Sequence, residues 1–244
     1  MNKEKVIQGF VIRQVEYGES DAIVSVLTSH GVEVFKARGV LKLTSKNRSS
    51  CLLYSESEFT LDCSKNDYQV LTKGKLIKSN FKLYDCLENM TCLGLISESI
   101  LMFLGSETSS KIYNCFSYLL KAINEGFDVL TMTSICIANI IKETGYELDL
   151  SRCIRCNKTS QIVFVDFLNN GFVCRRCLNN GEQVENVEYL KSIRYIFMVD
   201  EDNYFHYELN KNIVLRLVKE LIKYLQNQFD YRKIVFFELF LQTF

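Results

Sequence analysis

The chain has 244 residues, 48% hydrophobic and 24% charged, which is enough for one large or two ordinary domains with a real core and excludes long disorder. Its 29 basic and 29 acidic residues cancel, so any attraction for a nucleic acid must come from a local patch and not from the whole molecule. Gln8 and Arg13 break the N-terminal apolar stretch before it reaches signal-peptide length, and no run approaches ~18 uninterrupted apolar residues, so a cytoplasmic chain without a membrane span is expected.

From residue 6 to 80, β-branched and aromatic residues alternate with turn signals: VIQGFVIRQVEY, GESD, AIVSVLT, SHG, VEVFKA, then LLYSESEFTLD and QVLTKGKLIKSNF. About five strands in roughly seventy residues predict a small barrel, of the oligonucleotide-binding (OB) or the SH3-like type, which share this periodicity. Between the third and fourth strands lies VLKLTSKNRSS. Lys36, Arg38, Lys42, Lys46 and Arg48 occur here with no acid among them. They form a candidate track for phosphates, whose contacts release counterions and depend steeply on salt, although a merely solvated loop has the same composition. Arg13 is a further candidate. Tyr17, Phe35, Tyr54, Phe59 and Tyr68 are read mainly as core, and any ring left exposed could stack a base.

Near Leu83 the period becomes helical. Leu83, Leu87, Met90, Gly94, Ser97 and Leu101 share one face, as do Ile112, Cys115, Phe116, Leu119, Leu120 and Ile123. A third helix is expected from Val129 to Glu143, stopped by Gly145, and two more at 187–199 and 210–229. The predicted class is α+β: a barrel over 1–80 and a helical domain over 81–244, interrupted by a cysteine segment at about 151–180.

That segment, CIRCNKTSQIVFVDFLNNGFVCRRC, carries two CxxC hooks, Cys153/Cys156 and Cys174/Cys177. In a reducing compartment such thiols read as ligands and not as disulfides. Each hook turns tightly enough to present both sulfurs to one ion, so four thiolates can close a tetrahedron around zinc. QIVFVDFLNNGFV reads as strand, Asn-Asn-Gly turn and strand, a hairpin that would bring the hooks together in a zinc ribbon. A redox pair would need a helix start in a βαβ setting, which is not apparent; an iron–sulfur or vestigial site is the remaining reading. Four cysteines leave no open position for water, so one structural Zn2+ and no catalytic metal is expected. Arg152, Arg155, Lys158, Arg175 and Arg176 surround the hooks, and the arginines either offset the charge of the centre or make a second DNA contact. Cys51, Cys63, Cys86, Cys92, Cys115 and Cys136 stand singly among apolar residues as core filler. His30 and His206 read as structural. No glycine-rich phosphate loop, nucleophile elbow or HExxH pattern occurs, so no enzyme is expected.

GFVIRQVEYGESDAIVSVLTSHGVEVFKARG, the helical second half, and the hooks that follow ETGYELDLSRC together resemble the bacterial RecO family of DNA repair proteins. Tyr17-Gly18-Glu19-Ser20, Thr28, Gly31, Ala37-Arg38-Gly39 and the Gly171-Phe172-Val173-Cys174 approach to the second hook match the order of the family's segments. The resemblance implies an OB fold, a helical bundle carrying a zinc ribbon, and a non-enzymatic mediator of recombinational repair. It implies binding of single- and double-stranded DNA, strand annealing, contact with the C-terminal tail of single-strand-binding protein, and help from RecR in loading RecA. A cytoplasmic, nucleoid-associated monomer is expected. An OB and zinc-ribbon interaction scaffold, or an RNA-binding protein without annealing activity, is the alternative.

Overall fold

The computed structural model describes residues 4–64, 68–230 and 233–244. Five strands, β1 (Glu4–Tyr17), β2 (Asp21–Thr28), β3 (Gly31–Ala37), β4 (Glu56–Asp62) and β5 (Gln69–Lys78), close a barrel in the order β1-β2-β3-β5-β4. β1 serves two neighbours: its first half pairs with β4, from Glu4 opposite Asp62 to Phe10 opposite Glu56, and its second half with β2. A bulge between Val11 and Arg13 bends the strand from one pairing to the next. β3 meets β5 in parallel at Phe35/Gln69 and Lys36/Val70. That crossover is the Greek-key closure of an OB barrel and removes the SH3-like alternative. Inside, Val11, Val24, Val26, Phe35, Phe59 and Leu61 are buried, with the Phe35 and Phe59 rings 5.0 Å apart.

Six helices follow: α1 (Leu87–Ser99), α2 (Ser110–Glu125), α3 (Val129–Glu143), α4 (Val187–Met198), α5 (Lys211–Gln228) and α6 (Val235–Thr243). Side chains of Ser109, Asp128, Asn186 and Asn210 cap the N-termini of α2 to α5, accepting from the backbone N–H two residues on. α1 starts later than the apolar pattern suggests, because residues Phe81–Asp85 form a 3-10 turn, and it runs on into a π-helical turn at Ile100–Leu104. Residues Leu87–Leu104 are long and apolar enough for a membrane span by length and composition, against the expectation from uninterrupted runs; 56% of the window is buried in the protein, as befits a core helix.

α6 was not expected, although VFFELFLQT buries Phe237 and Phe240 three apart and leaves Glu238 and Gln242 exposed. It is held from outside: both Glu98 carboxylate oxygens accept from the N–H groups of Val235 and Phe236, 3.0 and 2.8 Å away, capping its first turn. α1 admits it at Gly94, where a Cβ would lie 2.1 Å from the Phe236 ring. Gly94→Ala is therefore expected to destabilise by about 1–3 kcal/mol through overpacking, despite the better helix propensity of Ala; a denaturant midpoint that does not fall would show that α6 is not seated there.

The barrel interior is a buried cluster of its own, and a second, larger one joins the two halves. Phe10, Ile12, Leu27, Val32 and Tyr54 of the barrel half belong to the same buried cluster as the helices, and Phe10 packs on Tyr113 and Phe116 of α2 at 5.0 and 5.6 Å. This junction fixes how the outer face of β1 meets the helical half.

Candidate metal centre and nucleic-acid interface

Between α3 and α4 lie β6 (Asp149–Cys153), β7 (Ile162–Asp166) and β8 (Gly171–Cys174), in the order β6-β8-β7. β7 and β8 form the expected hairpin, turning through Asn169 and a left-handed Asn170 (φ 60°). β6 adds a parallel contact that sets Cys153 opposite Phe172. The first hook closes as a knuckle: Cys153 N–H donates to the Lys158 carbonyl at 2.7 Å and Asn157 N–H to that of Cys153 at 2.8 Å, with Asn157 in the left-handed region (φ 61°).

The Sγ atoms of Cys153, Cys156, Cys174 and Cys177 all lie within 4.8 Å of one another, and Cys156 and Cys174 are 3.6 Å apart. A tetrahedron with metal–sulfur bonds of ~2.3 Å has edges of about 3.8 Å, so the four could hold one metal ion. The electrostatics agree. Burial pushes the Cys153 thiol up, but backbone N–H groups of Cys174, Arg155 and Cys156 outweigh it and hold the thiol at about 6, while Cys177 is pushed up to about 12, first by Cys156. Within the cluster one thiol is drawn toward the thiolate and another pushed away from it, a mutual opposition that a cation among them would relieve.

The surrounding arginines divide. Arg155 donates to Asp166 at 2.6 Å, to Glu182 at 2.8 Å and to the Cys177 carbonyl, so its guanidinium is engaged within the ribbon. Glu182 lies beyond the hooks and was missed because only folding brings it back to them. Arg152 pairs with Asp149 at 3.3 Å, whereas Arg175 and Arg176 are exposed and take part in no ion pair among the described residues. Chiefly because of Arg155, the Glu182 carboxyl is lowered from 4.5 to about 2. Its contribution to stability is thus present above about pH 4.5 and is lost as pH falls toward 2. Carboxyl-resonance titration of Arg155→Gln should move Glu182 back up toward 4.5; an unmoved value would mean that the pair does not form.

On the barrel, the register places Arg13 across from Ser25 and Val34, Val15 across from Ile23 and Lys36, and Tyr17 across from Asp21. Alternation turns this set outward, and Val15, Tyr17 and Val34 are 42%, 55% and 49% exposed. Phe35, Tyr54 and Phe59 are core, but Tyr17 and Tyr68 are exposed, which separates the aromatics that the sequence could only group. Lys36 is not a free cation: its Nζ is 2.9 Å from Asp21 and 4.4 Å from the centre of the Tyr17 ring. Asp21 also accepts from Gly39 N–H, which with Lys36 lowers its carboxyl below the ordinary value. Lys36 thus steadies an exposed ring at the corner where β1, β2 and β3 end.

Residues 39–51 are a folded cap over the barrel end. Val40, Ser50 and Cys51 are buried, Arg48 donates to the Leu41 carbonyl at 3.0 Å, and Asn47 Oδ1 accepts from Gly74 N–H at 3.0 Å. A Cβ at Gly74 would lie 2.0 Å from Ser50 Oγ, so the cap rests directly on β5 at Gly74, between Lys73 and Lys75. Those two exposed lysines were missed; the T-K-G-K alternation in β5 was the signal that could have found them. Arg38, Lys42, Lys46, Lys73 and Lys75 are exposed and take part in no ion pair among the described residues, although Lys75 stands across the ladder from Glu58. His30 and His206 are both exposed.

Residues 1–80 match the family model described as Recombination protein O N terminal, and residues 85–233 the one described as Recombination protein O C terminal. The chain is 28% identical over 233 residues to the DNA repair protein RecO of Mesoplasma florum, covering 92% of this chain and 86% of that one. It is 24% identical over 230 residues to that of Acetivibrio thermocellus, with 91% and 90% covered, and 26% over 203 residues to that of Listeria monocytogenes serotype 4b, with 79% and 78% covered. With both halves matched in order, and with a barrel, helical bundle and four-cysteine cluster in one chain, the protein belongs to the RecO family of DNA repair proteins.

Proposed function

We propose that this protein is a non-enzymatic mediator of recombinational repair that binds single- and double-stranded DNA and pairs complementary strands. The observation that carries the reading is the barrel end where Tyr17 stands exposed and the Leu41 N–H, donating to the Ser20 carbonyl at 2.9 Å, holds the cap with its exposed cations Arg38, Lys42 and Lys46 against the β1–β2 turn. Such cations lower the repulsion between two phosphate backbones, and an exposed ring stacks bases without choosing among them. Pairing then needs proximity and screening, with no nucleotide hydrolysis. The cysteine cluster holds one structural Zn2+, since four thiolates complete the tetrahedron and leave no position for substrate. As in the family, the helical half engages the C-terminal tail of single-strand-binding protein, and RecR joins in loading RecA. The protein works in the cytoplasm, at the nucleoid, as a monomer.

The test is annealing of complementary strands coated with single-strand-binding protein, without ATP. Acceleration at low salt that fades as salt rises is expected; no acceleration at low salt rejects the reading. RNA competing as well as DNA would instead favour an RNA-binding protein.

A further inference from the structure

A cleft of about 610 Å³ opens where the barrel meets the helices, within the size range of small-molecule sites, ~300–1,000 Å³. Gly94, Ser97, Glu98 and Leu101, at i, i+3, i+4 and i+7, give it one wall, and Val235 and Phe236 of α6 face them. Leu101 and Met102 come from the π-helical turn, a local irregularity that recurs at functional sites. Deeper in are two hydroxyls. Tyr54 is 3% exposed and held at φ 61°, a conformation costly for a bulky residue. Ser97, also 3% exposed, faces the Tyr54 hydroxyl and makes no well-formed hydrogen bond.

The mouth is cationic. Arg13 and Lys233 stand there, Lys233 paired with Glu238 at 3.1 Å, and the Glu98 carboxylate is occupied with the N-terminus of α6. Arg13 also ends the outward row Tyr17, Val15, Arg13, so the exposed face of β1 leads into the cleft over about 13 Å of strand.

We propose that this cleft takes a single nucleobase turned out of a DNA strand lying along β1. The inference rests on the DNA-binding reading above. A base suits the site on three counts. Its faces match the apolar walls and the Phe236 ring, its polar edge offers partners to the buried Ser97 and Tyr54 hydroxyls, and its phosphate lies at Arg13. An apolar peptide side chain would leave the buried Ser97 hydroxyl without a well-formed partner, which costs free energy. A base held apart from its neighbours is unstacked, and therefore open to an incoming complementary strand once released.

Photocross-linking of single strands containing 5-iodouracil to the full chain, followed by peptide mapping, tests this. Cross-links are expected at Tyr54 or Phe236 as well as at Tyr17. In Val235→Trp, which plugs the cleft from its exposed side, the cleft cross-links should vanish and strand affinity fall about tenfold, while that at Tyr17 persists. Cross-links at Tyr17 and the cap alone overturn the cleft proposal and leave DNA binding intact. A wild-type chain that binds no strand at low salt overturns both. If Val235→Trp leaves strand binding unchanged but abolishes binding of a labelled acidic peptide ending in Phe, the cleft is a peptide site and the proposal is wrong.

Discussion

Cys174→Ser is expected to take the chain from one bound zinc ion to none and to cost it several kcal/mol of stability, with solubility falling before any DNA-specific effect is seen. Structural zinc contributes on the order of 10 kcal/mol in small peptides; here Leu150, Val165 and Phe172 tie the strands to the main core, but the hooks themselves have little apolar support. Its own buried cluster is only Cys153, Val173 and Cys174, with Ile154, Ile162, Phe164 and Cys177 packed against it. Cys174 is 1% exposed, ends β8, and directs its backbone N–H at Cys153. A serine hydroxyl there is a poor ligand, and three thiols without an ion are left crowded. Metal content by atomic spectroscopy and thermal melts with and without added zinc check this. A Cys174→Ser protein that is fully folded and still metal-loaded rules out the clamp. Loss of DNA binding in a variant that keeps its melting temperature would instead place the centre in the DNA interface.

What could be read in advance follows from how local each signal is. The hooks, the Asn-Asn-Gly turn and the strand alternation are set by neighbouring residues, so the ribbon and the five barrel strands were legible, as was α3 from Val129 to Glu143. Pairing between distant segments was not. Nothing near Lys36 announces Asp21 as its partner, and the barrel register alone joins them. Arg155 looks like a free arginine until Glu182 and Asp166 fold onto it. Residues 39–50 read only as a basic barrel loop because Val40, Ser50 and Cys51 reveal burial only once the barrel end is built beneath them. α6 was hidden because it is short: its buried side is only Phe237 and Phe240, and exposed Val235 and Leu241 blur the contrast with its other face.

The same distinction between free and committed cations sets the prediction on which the functional reading most depends. Lys42→Ala/Lys46→Ala/Arg48→Ala should weaken single-strand binding by about tenfold to a hundredfold and make log K less steep in log salt by up to about 2, since each lost phosphate contact withdraws ~0.7 from the slope. Arg48 spends part of its donors on the Leu41 carbonyl, so most of the change should come from the two lysines. Adding Lys73→Ala and Lys75→Ala should flatten the slope further, because the Asn47–Gly74 bond holds both beside the cap. Lys36→Gln supplies the contrast. Its charge is already balanced by Asp21, so it should alter the salt slope little and act through the Tyr17 ring that it steadies. Binding isotherms across a salt series separate the cases. If the cap variant and Lys36→Gln change the slope equally, exposure and pairing do not decide which cations meet phosphate, and the strand runs elsewhere. If neither changes it while complexes with protein partners persist, the barrel is an interaction scaffold and its DNA contact is incidental.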